Sequence, residues 1–196
     1  MKEHPILFST EMVIAILEGR KTQTRRVVKP QPDKHSGHAY RVDTDRYLTP
    51  SFLDEIPDPA CFFVECPYGL PGDRLWVRET WANAPRGFIY KADFWPVPWA
   101  DSVIDIPTGQ TIPLIWKPSI HMPRIASRIL LEVVSVWVEQ VQDISEGDII
   151  AEGCPSDYLL GINWFRPLWD SINEKRGYGW NINPYVWVVE FKRVKG

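Results

Sequence analysis

Ser9-Thr10-Glu11-Met12-Val13-Ile14-Ala15-Ile16-Leu17-Glu18-Gly19-Arg20-Lys21-Thr22-Gln23-Thr24-Arg25-Arg26-Val27-Val28 is the stretch on which the reading of this chain turns. Ser9 or Thr10 can cap a helix, Glu11 suits its positive end, and Gly19 suits its exit. Met12, Val13, Ile16 and Leu17 share one apolar face. The next ten residues, Arg20 to Lys29, include five that are basic. Val27-Val28 begins or lies in a strand, which Pro30 and Pro32 stop.

Outward from that stretch the pattern is mainly one of strands. Residues 31–60 are rich in Pro, Asp, His and Ser and read as a long loop or insertion with at most short strands. Order returns at Cys61-Phe62-Phe63-Val64-Glu65. After a turn at 68–73, Arg74-Leu75-Trp76-Val77-Arg78-Glu79-Thr80-Trp81 reads as a strand. Gly87 to Lys91 and Ile112 to Trp116 are short strand candidates, separated by a proline-rich, aromatic stretch. Arg128 to Val141 is the longest β-type run. Ser145 with Asp148 forms a capping-box pattern that opens a short helix ending near Gly153. Phe165, Leu168, Trp169 and Ile172 put a third helix over Asn163 to Arg176, with Pro167 tolerable only in its first turn. A final strand runs from Tyr185 to Val194.

Six to eight strands with three short helices and no βαβ alternation predict an α+β fold. The expected architecture is a small, mostly antiparallel β-barrel with helices packed at its ends. The whole chain, 1–196, reads as one domain, with long loop insertions at 31–60 and 86–124.

Composition narrows the function. Lys and Arg number 22 against 25 Asp and Glu, so the net charge is 22 − 25 = −3 at pH 7. Hydrophobic residues at 44% and charged residues at 24% are globular values. They exclude a disordered chain and a nucleic-acid binder driven by bulk charge; phosphate contacts must come from a local patch. No apolar run reaches the ~20 residues that span a bilayer, so no membrane partner is expected. Met1–Thr10 is too short and too polar for a signal peptide. Three cysteines, Cys61, Cys66 and Cys154, suit a reducing, cytoplasmic setting better than a disulfide scaffold. The 18 prolines and 10 tryptophans imply stiff loops and aromatic walls.

The chemistry concentrates in Gly19-x-Lys21-x-x-Thr24-x-Arg26. It holds an amine, a hydroxyl and a guanidinium within eight residues. Burial and the neighbouring Arg25 and Arg26 would lower the Lys21 pKa, and such a lysine can take a proton from a hydroxyl. The same residues also describe a basic, simply solvated turn.

This motif resembles the signature of the ASCH family, small barrels similar to the PUA domains of RNA-modifying enzymes. Leu75-Trp76-Val77-Arg78-Glu79-Thr80-Trp81 resembles the family's second motif, an apolar strand ending in Arg-Glu. Trp169-Asp170-Ser171-Ile172-Asn173 and Trp187-Val188-Val189-Glu190-Phe191 resemble the longer, phage- and prophage-type members. The resemblance implies a PUA-like barrel whose cleft meets RNA, a nucleotide or a modified nucleoside. It also implies a metal-independent amidohydrolase of an acylated nucleoside such as N4-acetylcytidine, with Lys21 as base, Thr24 as nucleophile and Glu79 as acid, and no cofactor. Arg26 or nearby backbone N–H groups would stabilise the oxyanion. Other members imply RNA or nucleotide binding without catalysis, or a metal-dependent ribonuclease. The compact enzymes are about half this length, so the insertions bear on the pocket. Glu79 equally suits a salt bridge, with Arg78, Arg25 and Arg26 available.

Further binding candidates are Arg25 and Arg26 from the basic turn and the stiff loop residues Ser119, His121 and Arg124. Trp81 and Trp116, at element ends, can stack on a base. Each has a plain alternative as a loop or packing residue. His35 and His38 near Asp33, Asp43 and Asp45 make a weak metal pattern, and no metal site is expected. Protein partners are not legible.

Overall fold

Side chains along the last strand alternate between two apolar clusters. Val186 and Val188 pack with Val141, Ile149, Phe165 and Trp169. Trp187, Val189 and Phe191 pack with Ile6, Val13, Ile16, Leu75, Val77 and Leu131. A strand that buries both faces belongs inside a sheet. The computed structural model describes residues 1–32, 38–41, 47–48, 62–84, 86–94, 102–105 and 107–194.

The strands are β1 (Glu3–Leu7), β2 (Gln23–Val27), β3 (His38–Arg41), β4 (Tyr47–Leu48), β5 (Phe62–Glu65), β6 (Arg74–Arg78), β7 (Trp81–Ala84), β8 (Gly87–Tyr90), β9 (Ser102–Asp105), β10 (Gln110–Pro113), β11 (Leu130–Gln140) and β12 (Tyr185–Arg193). The helices are α1 (Thr10–Leu17), α2 (Glu146–Ala151) and α3 (Ile162–Asn173). The main sheet has five strands in the order β1-β6-β11-β12-β2. β1 and β6 run parallel, with Ile6 opposite Val77. The other pairs are antiparallel, and β11 carries an irregularity between Val133 and Ser135. β9 with β10, β7 with β8, and β4-β3-β5 form small separate sheets. The class is therefore α+β around a strand-built core.

The expected barrel is not closed by backbone pairing. β1 and β2 are the two ends of the sheet. Phe191 N donates to Thr22 O and Val28 N to Tyr185 O, at 2.8 and 3.0 Å. That register turns the backbone of Gln23, Arg25 and Val27 away from β12. Side chains occupy the gap instead: Arg26 Nη2 donates to Leu7 O at 2.8 Å, and its guanidinium lies 5.3 Å from the Phe8 ring centroid.

The helix signals have direct counterparts. Ser9 Oγ accepts from Met12 N at 3.4 Å at the head of α1. Ser145 Oγ accepts from Asp148 N at 3.1 Å, and Asp148 Oδ2 accepts from Ser145 N at 3.2 Å. α3 starts at Ile162, so Pro167 falls in its second turn rather than its first. Burial of Phe165 and Trp169 outweighs the missing N–H there. Cys66 and Cys154 are free thiols, and burial pushes Cys66 up to about 12. Among the described residues no helix is long and apolar enough to cross a membrane. Asp33, His35, Asp43, Asp45 and Cys61 lie outside the described residues, as do the side chains of His38 and most of 31–60.

Candidate active site

Two glycines steer Lys21 inward. Gly19, at φ +78°, lets the chain leave α1 so sharply that Arg20 N and Lys21 N both donate to Ala15 O, at 2.8 and 3.0 Å. Gly153, at φ +97°, packs on the lysine stem: a Cβ there would lie 3.2 Å from Lys21 Cβ and 3.1 Å from Ala15 Cβ. Thr22 N donates to Ala151 O at 2.8 Å, fixing the turn to the end of α2.

Lys21 is consequently 2% exposed. Its Nζ donates to Glu152 Oε2 at 2.6 Å, Glu152 O at 2.8 Å and Gln23 O at 2.8 Å. Those three acceptors match the three protons of an ammonium. Burial pushes the Lys21 pKa down from its ordinary value; the Glu152 carboxylate opposes that, and Arg26 and Arg25 add to it.

Arg25 is committed to the same network. Its Nε and Nη2 donate to Glu139 Oε1 at 2.8 and 2.6 Å, and its Nη1 donates to Gln23 Oε1 at 2.7 Å. Asp148 Oδ2 and Glu152 Oε1 stand 3.5 and 3.4 Å from its guanidinium. Trp137 Nε1 donates to the second Glu139 oxygen at 2.7 Å. The guanidinium that the sequence offers to nucleic acid is thus matched by three carboxylates.

Glu79 lies just past β6, on the face that carries Leu75 and Val77. It is 1% exposed. Its two oxygens accept from Arg128 Nε and Nη2, at 3.0 and 3.1 Å. Arg128 Nη1 continues to Asp93 Oδ1 at 2.6 Å, and the guanidinium covers the Tyr90 ring at 4.0 Å. Burial raises the Glu79 carboxyl above the usual carboxylate range, against the pull of Arg128. Arg78, a neighbour in sequence, instead donates to Ile120 O.

A cleft of about 900 Å³ lies against β2, between the start of α1 and α3. Thr24, Arg25, Arg26, Glu152, Ser119 and Thr80 all line it, with Phe8, Phe165 and Trp169 among its apolar walls. Thr24 is 1% exposed overall, so its contact with the cleft is a narrow one. Lys21 and Glu79 do not line the cleft themselves. Lys21 touches its wall through Glu152, and Glu79 is one residue from Thr80.

The remaining sequence candidates disperse. His121 is exposed, and Arg124 donates to Glu3 Oε2 at 2.8 Å. Trp81 is 5% exposed, packs with Met122 and Ala126, and has Lys117 Nζ 4.8 Å from its ring. Trp116 meets Phe94 edge-on at 5.9 Å. Of the seven binding candidates, Arg25, Arg26 and Ser119 share the cleft.

Sequence reasoning missed Glu152 and Arg128. Glu152 is 131 positions from Lys21. One local signal was present: Glu152 caps the C-terminal end of α2, where the helix dipole disfavours an anion. A carboxylate there, next to a glycine, calls for a cation from elsewhere.

No family model matches the chain, and no curated protein matches it. Among solved structures, the ASCH domain from Lactobacillus crispatus JV V101 aligns over 98% of this chain and 79% of its own, at 14% identity and a TM-score of 0.41. A likeness of that degree carries no conclusion about activity, substrate or partner.

Proposed function

We propose that this is an ASCH-type protein whose cleft receives a nucleoside, free or within RNA, and hydrolyses an acyl amide on its base, as in N4-acetylcytidine. The observation that carries the reading is Lys21: a buried amine, its pKa lowered by burial, three residues before a threonine that lines a cleft of about 900 Å³. That volume falls in the range of small-molecule pockets.

The chemistry follows in order. The reaction needs Lys21 in its amine form, which burial favours and Glu152 opposes; that amine takes the proton of Thr24 as Oγ1 attacks the acyl carbonyl. For Glu79 to give a proton to the departing base amine, its carboxyl must release Arg128 and reach past Thr80 into the cleft. The acyl-threonine ester is then hydrolysed by water, which releases acetate and restores the hydroxyl. Glu152 holds the lysine in place throughout. The direct test is release of cytidine and acetate from N4-acetylcytidine by the purified protein, followed by chromatography. Thr24→Val and Lys21→Met should each abolish it. Turnover that survives Thr24→Val removes the nucleophile, and with it this mechanism.

A second reading, binding without turnover, is favoured by the resting state of the same groups. All three Lys21 donors and both Glu79 oxygens already have partners. Saturable binding of N4-acetylcytidine or RNA with no product would select it. RNA cleavage that EDTA stops would select a metal-dependent ribonuclease instead.

A further inference from the structure

Three cations of the cleft have no role in the amide chemistry beyond the oxyanion contact that Arg26 can offer. Arg26, Lys29 and Arg176 all line it. Lys21 and Arg25 are matched by carboxylates; these three are not, among the described residues. Arg26 donates to the Leu7 carbonyl and lies over Phe8. Lys29 Nζ lies 5.4 Å from the Tyr178 ring centroid. Arg176 stands two residues before Tyr178, just ahead of the left-handed Gly177, and its side chain has neither a hydrogen bond nor an ion pair among the described residues. Lys29, Arg176 and Tyr178 all line the cleft, and Lys29 and Arg176 are exposed.

Three carboxylates also line the cleft: Glu11, Glu65 and Glu152. Glu152 is taken by Lys21 and Arg25. Glu11 belongs to the first turn of α1 and Glu65 ends β5. The whole chain carries −3, which makes a cleft lined by Arg26, Lys29 and Arg176 a local feature rather than a bulk one.

We infer that Lys29, Arg176 and Arg26 bind a phosphate group, so that the cleft prefers a nucleotide unit to a bare nucleoside. A guanidinium and an ammonium are the usual donors to phosphate oxygens, and Tyr178 offers a flat surface beside Lys29. The phosphate can be the monoester of a free nucleotide or a diester of RNA. This inference rests on the nucleoside reading of the cleft.

The test is calorimetric binding of four probes: cytidine, cytidine 5′-monophosphate, a short cytidine-containing single-stranded RNA, and inorganic phosphate. Each is compared in the wild type and in the double variant Lys29→Gln/Arg176→Gln. Both side chains are exposed, so the fold should survive, and an unchanged melting temperature verifies it. The monophosphate should bind the wild type roughly tenfold or more tighter than cytidine, and the double variant should erase that preference while cytidine affinity stays put. RNA that binds tighter than the monophosphate assigns the site to a diester; the reverse assigns it to a free nucleotide. Equal affinity for cytidine and its monophosphate overturns the phosphate site and leaves the nucleoside reading standing. A preference that persists in the double variant overturns the assignment to these residues. Inorganic phosphate bound by the wild type alone, with no binding of cytidine, keeps the site and ends the nucleoside reading. No binding of any probe overturns both.

Discussion

Lys21 and Glu79 come from the two stretches that define the sequence, and both are buried charges, yet their settings differ. The Lys21–Glu152 pair is sealed, with side chains 0% and 5% exposed. The Glu79–Arg128 pair is vented: Arg128 is 27% exposed, and the chain of contacts ends at Asp93, 46% exposed. A sealed ion pair has no water to fall back on when one partner is lost. A vented one relaxes toward solvent. The proposed base and the proposed acid therefore differ in how freely each can change charge.

The largest expected effect is at the sealed pair. Glu152→Ala leaves an ammonium buried without its counter-charge and should destabilise the protein by about 3–5 kcal/mol in urea unfolding. Glu152→Gln keeps an acceptor and should lose less. A loss below about 1 kcal/mol for the alanine variant would mean that Lys21 escapes to water, and the contrast between the pairs would vanish. At the vented pair, Arg128→Ala should lose about 1–3 kcal/mol by the same measurement, since solvent reaches part of the guanidinium.

Next come two pH slopes of opposite sign. The Glu79 carboxyl is raised in the folded state, so the fold keeps a proton that the unfolded chain has released. Its contribution to stability is full below the ordinary carboxylate value and falls as pH rises through the raised one. Lys21 is lowered, so between its folded value and the ordinary lysine value the unfolded chain holds more protons, and stability rises with pH. Unfolding free energies across both windows should show these slopes, and Glu79→Gln and Lys21→Met should each flatten one of them. The smallest effect belongs to a pair in open water. Lys192 and Glu132, 62% and 36% exposed, face each other across β12 and β11. Lys192→Ala should change stability by less than about 1 kcal/mol.

What was legible in the sequence was local. The Ser9 cap, the Ser145–Asp148 box and the final strand from Tyr185 depend on residues within a few positions, and each has its counterpart in the structure. What was not legible required distant partners. Nothing near Lys21 announces Glu152, and nothing near Glu79 announces Arg128, 49 positions on. Arg25 looks as available as Arg26 in a basic run, but period-two alternation sends it toward Glu139 and Glu152 and sends Arg26 toward Phe8. The strand Glu3–Leu7 is too polar to stand out, and only its parallel pairing with β6 reveals it.

The reach of the Lys21 amine to the Gln23 carbonyl has a consequence beyond chemistry. An uncovered strand margin invites a neighbouring molecule to add its own strand, the first step toward aggregates. Here that margin has one of its acceptors already occupied from within. At Gln23, itself 5% exposed, the lysine read as a candidate base occupies the outward carbonyl to which such a strand would bond.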